Sequence, residues 1–130
     1  MDKQRVIDIM QSLGTAEDVA CCVLLLDFIQ KKTKKIYYYA DFVGAVAELN
    51  LNDPIQLVQR CLNLFKSKRL AILRQEYRYL DDDGVVYGVE VEDLQAAHLD
   101  GRLFLEWRNY SDPDFASKVY IVFFAGDGAL

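Results

Sequence analysis

The amino-acid sequence predicts an α+β fold, and three observations carry that prediction. Apolar residues repeat at helical spacing over residues 16–31 and again over residues 53–69. Two extended runs follow, residues 70–80 and 85–91, joined by an Asp-Asp-Asp-Gly turn at residues 81–84. Towards the C-terminus, further short apolar runs alternate with turn residues. Helices that precede strands along the chain are typical of α+β proteins.

Length and composition predict one domain in a cytoplasmic protein. The chain has 130 residues, of which 52% are hydrophobic, so it can bury a substantial core. It shows no apolar run of membrane-spanning length and no secretory signal at its start. Cys21, Cys22 and Cys61 are odd in number and lie in apolar helical patterns, which predicts buried, reduced thiols.

Charge is distributed unevenly along this acidic chain, whose net charge is −5. Residues 1–80 hold 12 Lys or Arg and 9 Asp or Glu, whereas residues 81–130 hold 3 and 11. The asymmetry indicates two contact faces of different character. An acidic protein whose charges are not separated into two faces explains the same counts, so both interpretations stay open.

The N-terminal half is predicted to be mainly helical. Val6, Ile9 and Met10 mark a short amphipathic helix within residues 1–15, ended by Gly14. Thr15 and Asp18 form a capping-box pattern at the start of a helix over residues 16–31, which is apolar almost all round and so predicted to be the central core helix. A short strand is expected at residues 36–39 and a helix at residues 40–49.

The residues at the start of the helix over residues 53–69 are typical of a helix N-terminus. Asp53 can cap its first turn, Pro54 suits the first helical position, and Gln56 stands where a capping box closes. We predict that this helix packs in one core with the helix over residues 16–31 and the first extended run, through Leu24, Leu25, Phe28, Val58, Leu62, Phe65 and Tyr77.

The C-terminal region, residues 92–130, is predicted to add a short helix and a β-hairpin. The helix covers residues 92–99 and is closed by Gly101. Residues 102–109 and 118–124 then form the hairpin strands, connected by a turn at residues 110–114. Because residues 119–124 are apolar on both faces, that strand should be covered on both sides.

The order helix, short strand, helix, helix and hairpin over residues 16–91 resembles the winged helix-turn-helix superfamily. The resemblance implies a winged helix-turn-helix with an added C-terminal β-hairpin, in which residues 53–69 are the recognition helix and residues 70–91 are the wing. Winged-helix domains include DNA-binding regulators and modules that bind only protein. The wing tip departs from DNA-binding members, because Asp81, Asp82 and Asp83 would repel phosphate.

Several polar and basic residues are candidates for contact with a nucleic acid or an acidic partner. Gln56, Gln59, Arg60 and Asn63 lie opposite the apolar stripe of the helix over residues 53–69, and such side chains can pair with base edges. The residues that could meet phosphates are Lys31, Lys32, Lys34, Lys35, Lys66, Lys68 and Arg69. The alternative is that these are ordinary solvated helix faces.

The C-terminal hairpin is a candidate protein interface. Its apolar surface exceeds what one outer hairpin readily hides, and the candidate residues are Trp107, Val119, Ile121, Phe123 and Phe124. A partner protein could cover one face, or two copies could pair as a homodimer. Coverage of both faces within one chain is the alternative.

Catalysis has little support in the sequence. The single histidine, His98, lies in an acidic stretch, and no Ser or Cys stands in an activation motif. The residues show no zinc, calcium or phosphate-binding pattern, so we expect no catalytic, metal or cofactor residues. The sequence therefore predicts a non-enzymatic interaction module, a small subunit or adaptor of a bacterial or phage assembly. The alternative is a DNA-binding transcriptional regulator that uses the helix over residues 53–69.

Overall fold

The computed structural model describes residues 3–31 and 34–126, and the fold within them is α+β, as predicted. Five α-helices and five strands are present in these ranges. The helices are α1 (Lys3–Leu13), α2 (Ala16–Gln30), α3 (Tyr39–Ala45), α4 (Pro54–Phe65) and α5 (Val91–Asp100). The strands are β1 (Leu73–Leu80), β2 (Val86–Val89), β3 (Leu103–Leu105), β4 (Tyr110–Asp112) and β5 (Val119–Ala125).

The chain divides into two compact units, one of which is inserted in the sequence of the other. Unit 1 comprises the chain up to Gln75 and from Phe123 onward, and unit 2 is Glu76–Val122. Unit 2 is therefore inserted between two segments of unit 1, inside β1 at one boundary and inside β5 at the other. β1 and β5 thus each contribute residues to both units.

Helix α2 is the central helix of unit 1, as predicted. Thr15 and Asp18 form the expected capping box, in which the Thr15 amide donates to the Asp18 carboxylate at 2.8 Å. The side chains buried along α2 point to more than one side, and α1 and α4 both pack against it. Cys21, Cys22 and Cys61 are buried free thiols, which confirms the sequence-based prediction.

The connection from α2 to α4 differs in part from the prediction. Residues 36–39 do not form a strand: only Tyr37 pairs, in an isolated bridge to Phe123 with two backbone hydrogen bonds of 2.8 Å. Helix α3 is followed by a 3₁₀ turn, Ala47–Leu49. This turn ends at Asn50, whose left-handed φ of 51° prevents the helix from continuing. The Asp53 side chain accepts from the Gln56 amide and Pro54 opens α4, as predicted.

The core of unit 1 combines aliphatic helix residues with an aromatic cluster. Tyr37 stacks on Phe42 with ring centroids 5.5 Å apart, and Phe123 meets Phe42 edge-on at the same separation. Of the predicted core residues, Leu25, Val58, Leu62 and Phe65 are buried, while Leu24 and Phe28 pack against the cluster half-buried. The prediction was wrong for Tyr77, which packs in the separate cluster of unit 2, because β1 continues beyond unit 1 before reaching that residue.

The hairpin of β1 and β2 is confirmed. Tyr77 pairs with Val89 and Leu80 pairs with Val86, and Gly84 takes the left-handed conformation of the turn with a φ of 84°. Helix α5 covers the predicted helical residues and ends at Gly101, whose φ is 78°.

The predicted C-terminal hairpin is wrong in its pairing. β3 pairs with β4 through a tight turn that Asn109 closes with a φ of 49°, and β5 pairs instead with β1, in the sheet order β2-β1-β5. Pro113 and Asp114 do not turn between two hairpin strands; they lead into a short 3₁₀ helix, Phe115–Ser117. A strand apolar on both faces gains more by joining a sheet next to a core than by forming an outer hairpin.

Candidate functional site

The site is built around a buried carboxylate at the turn between β1 and β2. Asp81 is 2% exposed, and its carboxylate accepts from Trp107 Nε1 at 2.8 Å, from Arg108 at 2.7 Å and from the Asp82 amide at 2.7 Å. The Trp107 hydrogen bond, with help from Arg108, holds the pKa of Asp81 below its usual range. The predicted phosphate-repelling tip is thus partly neutralised, and Asp81 instead fixes the two side chains that follow β3.

Asp81 positions Trp107 as an exposed, rigid aromatic surface. The indole ring stacks on Tyr87 of β2, with centroids 3.8 Å apart and planes within 8°. Even so, 38% of the Trp107 surface stays exposed, and Phe104 of β3 is 55% exposed. Phe104 and Tyr87 lie on strands, and Trp107 is held in the turn after β3 by its hydrogen bond to Asp81 and by its stacking on Tyr87, so these positions are fixed before any partner arrives.

A second buried carboxylate holds the strands of unit 2 together. Asp112 at the end of β4 accepts from the Tyr79 hydroxyl at 2.6 Å, from Lys118 Nζ at 3.0 Å and from the Asp114 amide at 2.8 Å. Burial and the bond to Asp112 raise the pKa of Tyr79 to about 12. Burial alone would raise the pKa of Asp112, but these hydrogen bonds outweigh it and hold the pKa below its usual range.

Next to Trp107 lies a groove of about 480 Å³ formed by the end of β2, α5 and β3. Four carboxylate residues and one cation border it, namely Glu90, Asp93, Asp100, Glu106 and Arg102. None of these four carboxylates has an ion-pair partner within residues 3–31 and 34–126. The apolar part of the wall includes Val89, Ala97, Leu103, Phe104 and Trp107. The groove therefore presents unpaired negative charge beside exposed aromatic surface.

The two units differ in net charge. Unit 2 carries 11 Asp or Glu and 4 Lys or Arg, and the rest of the chain carries 9 and 11. The acidic character predicted for residues 81–130 thus belongs to one compact unit, and the mildly basic character belongs to the other.

The predicted nucleic-acid contacts are mostly exposed, but several already have partners. Lys31, Lys34, Lys35, Gln56, Gln59, Arg60, Asn63, Lys68 and Arg69 are exposed, Lys66 is half-buried, and Lys32 lies outside the described residues. Lys34 forms an ion pair with Asp41 at 2.7 Å, and Lys66 donates to Gln75 at 2.6 Å. Those two ammonium groups are less available to phosphates than the sequence suggested.

Arg60 has a structural contact that the sequence did not reveal. Its guanidinium donates to the buried Asp18 carboxylate, with both Nε and the terminal nitrogen at 2.9 Å. Burial alone would raise the pKa of Asp18, but hydrogen bonds from Thr15 and Arg60 hold it below its usual range. Arg60 therefore joins α4 to the start of α2, and its guanidinium is engaged within the chain.

The predicted interface residues separate into exposed and covered ones. Trp107 and Ile121 are exposed, whereas Val119 and Phe124 are half-buried. Phe123 is 3% exposed in the core of unit 1, so it is not available to a partner. The Arg74 guanidinium lies 5.1 Å from the centre of the Phe124 ring. Of the predicted set, Trp107 alone borders the groove.

Sequence reasoning missed the groove residues Glu90, Asp93, Phe104 and Glu106. The local excess of acidic residues was the signal, but their convergence depends on the packing of α5 against β3. His98 is exposed on α5, with its ring edge-on to Phe115 at 5.4 Å.

The described ranges contain no group of three or more His, Cys, Asp or Glu side chains placed to hold a metal ion. No helix in the described part of the chain has both the length and the apolar character needed to cross a membrane. No protein-family model, curated protein or solved structure matches this chain.

Proposed function

We propose that the chain is a non-enzymatic protein-interaction module, a small subunit or adaptor of a larger bacterial or phage assembly, in which unit 2 contacts the partner. One observation carries the proposal. Of the 11 large hydrophobic side chains that are exposed within the described residues, 9 belong to unit 2. They are Leu80, Val85, Val86, Val91, Leu99, Phe104, Trp107, Tyr110 and Ile121.

Concentrated exposed apolar surface, bordered by charge, is typical of sites that bind other proteins. Trp and Tyr are also the residue types that dominate interface energetics, because they bury large areas with few rotatable bonds. Trp107 adds rigidity, since Asp81 and Tyr87 hold its ring in place.

Unit 1 serves as the scaffold in this proposal, and we assign it to the winged-helix architecture. The support is the order α2, the Tyr37 bridge, α3, α4 and β1, closed by β5 at Phe123. Under this assignment β5 takes the place of the second wing strand and unit 2 is an insertion in the wing.

The test compares two single variants of similar chemistry, one in each unit. Phe104→Asp places a charge on the exposed aromatic surface beside the groove of unit 2, whereas Ile55→Asp places one at a side chain of unit 1 that is 60% exposed. Each purified protein serves as bait in a lysate of the source cells, and the captured proteins are quantified. We expect Phe104→Asp to lose the partner that the unmodified chain and Ile55→Asp both retain. Equal capture by both variants, with unchanged circular dichroism, contradicts the proposal.

A second candidate function is binding of duplex DNA through α4. The favouring observation is that Gln56, Gln59 and Asn63 are all exposed on this helix. Because Arg60 is engaged by Asp18, the informative variant is Lys68→Glu combined with Asn63→Asp, which leaves that ion pair intact. A gel shift that weakens steeply with salt and disappears in this variant supports DNA binding, and the absence of any shift at low salt by folded protein removes it.

A further inference from the structure

We propose that the groove of unit 2 binds an extended Lys- or Arg-rich segment of a partner protein, which adds as a strand to the free edge of β2. The inference rests on the proposed function and names the chemical class of its partner. Three features of unit 2 carry it: an open sheet edge, unpaired carboxylates along the groove, and exposed aromatic rings beside them.

The open edge follows from the strand order and the register. β2 is at the end of the order β2-β1-β5, so in the described part of the chain no strand pairs with its outer side. The Asp81 amide donates to the Val85 carbonyl at 3.0 Å, which makes Tyr79–Tyr87 and Tyr77–Val89 the hydrogen-bonded pairs of the hairpin. The backbone N–H and C=O groups of Val86 and Gly88 therefore point away from β1.

Gly88 marks the place where this edge meets the groove. It lies in the groove wall, and a side-chain carbon added to it would meet no atom within 4 Å. The face of the sheet is therefore open at Gly88, and the backbone N–H and C=O of the same residue point outward along the free edge. Addition of a strand to such an edge is a common mode of peptide recognition.

Charge selects the kind of segment. Glu90 follows β2 directly, Asp93 and Asp100 lie on α5, and Glu106 follows β3, so the carboxylates are distributed along the groove. They are not grouped as metal ligands within the described ranges, so a single cation is a poor match. An extended chain with several positive side chains matches them better, and a nucleic acid is excluded by repulsion between carboxylates and phosphates.

The aromatic rings complete the match to Lys and Arg. These side chains combine an apolar stem with a charged end, and the stem can lie on Phe104 or Trp107 while the end reaches a carboxylate. A guanidinium above the Trp107 face would gain a cation–π contact as well.

The test uses the intact chain and a fluorescein-labelled heptapeptide in which Lys and Val alternate, with binding followed by fluorescence anisotropy. The groove variant is Asp93→Asn with Glu106→Gln. Its matched control is Asp114→Asn with Glu92→Gln, which changes net charge equally at exposed residues of unit 2 outside the groove. We expect the groove variant to bind about tenfold more weakly and the control to bind as the unmodified chain does, with both affinities falling at higher salt. Equal weakening in both variants would mean that only net charge matters, which overturns the proposal.

Strand addition has its own control. The same peptide methylated at alternate backbone nitrogens, on the edge that would face β2, keeps every side chain but cannot donate to the Val86 and Gly88 carbonyls. We expect its affinity to fall about tenfold or more, since the backbone hydrogen bonds to the Val86 and Gly88 carbonyls are lost. Undiminished binding by the methylated peptide overturns strand addition.

A second copy of this chain is the competing occupant, because unit 1 carries an excess of basic residues. Sedimentation that shows self-association, lost in the groove variant and retained in the control, would overturn the assignment to a different protein. Failure of the inference is distinguishable from failure of the proposed function. If peptides do not bind but Phe104→Asp still abolishes capture of a partner, the interaction module stands and the basic segment does not.

Discussion

The two units of this chain use their apolar residues in opposite ways. Among the described residues, unit 1 has a buried cluster of 20 hydrophobic residues, most of them on its four helices. The buried cluster of unit 2 has six, while most exposed large hydrophobic residues of the described chain belong to that unit. Unit 1 therefore buries most of its large apolar side chains, which stabilises its fold, whereas unit 2 leaves many of its own exposed.

Buried carboxylates take over part of the stabilising role in unit 2. Asp81 and Asp112 each accept three hydrogen bonds. Asp81 links the turn after β1 to the two residues that follow Glu106, and Asp112 links β4 to Tyr79 of β1 and to Lys118. Such directional contacts fix a single arrangement of side chains without requiring a large core. Unit 1 has one such buried carboxylate, Asp18, held by Thr15 and Arg60, whereas unit 2 has two beside a much smaller apolar core.

The largest expected effect is a cavity in the core of unit 1. Leu25 is fully buried on α2, so Leu25→Ala should lower the free energy of unfolding by about 2–5 kcal/mol. Ile55→Ala is the control, because Ile55 is 60% exposed on α4 and its truncation should have little effect. Urea denaturation followed by circular dichroism measures both, and an unchanged midpoint for Leu25→Ala would mean that α2 is not the central helix.

A smaller loss is expected from the buried carboxylate of unit 2. In Asp112→Asn an NH₂ group replaces one carboxylate oxygen: in place of Oδ2 it cannot accept from Tyr79 and Lys118, and in place of Oδ1 it cannot accept from the Asp114 amide. The free energy of unfolding should fall by about 1–3 kcal/mol. Trp107, the single tryptophan of the chain, reports on unit 2 through its fluorescence. Asp114→Asn, at an exposed side chain, should leave the transition unchanged; an equal shift in both variants would contradict the role of Asp112.

The same carboxylate predicts how stability responds to acid. The pKa of Asp112 in the folded chain lies below its ordinary value of 3.8, so its stabilising contribution is complete above about pH 4. That contribution is lost as the pH falls through the lowered pKa, because the unfolded chain then binds the proton more tightly. The Trp107 transition in urea should therefore shift to lower urea on acidification, and the shift should be smaller in Asp112→Asn. Identical shifts in the two proteins would assign the acid response to other groups, such as Asp81 or Asp18.

Local chemistry explains which parts of this fold could be predicted from sequence. The capping box of Thr15 and Asp18, the Asp53-Pro54 start of α4 and the Gly84 turn are all set by neighbouring residues, and each was predicted correctly. The pairing of β5 with β1 joins residues about 40 or more positions apart, and no short-range pattern encodes that choice. The turn before β4 has no Gly or Pro and is closed by Asn109, so its turn signal is weaker than the one at Pro113.

The groove could not be predicted for a related reason. Its carboxylates come from the end of β2, from α5 and from the residues after β3, and each is an ordinary surface residue in its own segment. Only the tertiary arrangement of these elements brings them beside Phe104 and Trp107. Phe123 shows the opposite case, since its apolar neighbours suggested an exposed interface, and its pairing with Tyr37 instead takes it into a core.

The smallest expected effect concerns two glycines of unit 1, and it tests how tightly that unit is packed. A side-chain carbon at Gly44, in α3, would meet no atom within 4 Å, whereas one at Gly126 would clash with the Ala71 carbonyl oxygen. Gly44→Ala should therefore raise the free energy of unfolding by about 0.5–1 kcal/mol, because Ala loses less backbone entropy in a helix. Gly126→Ala should instead lower the free energy of unfolding. The added carbon forces apart the backbone atoms around the hydrogen bond that the Gly126 amide donates to the Ile72 carbonyl. Thermal melts of the two variants measure the difference, and a destabilised Gly44→Ala would mean that α3 is packed more closely on its outer side than the distances indicate.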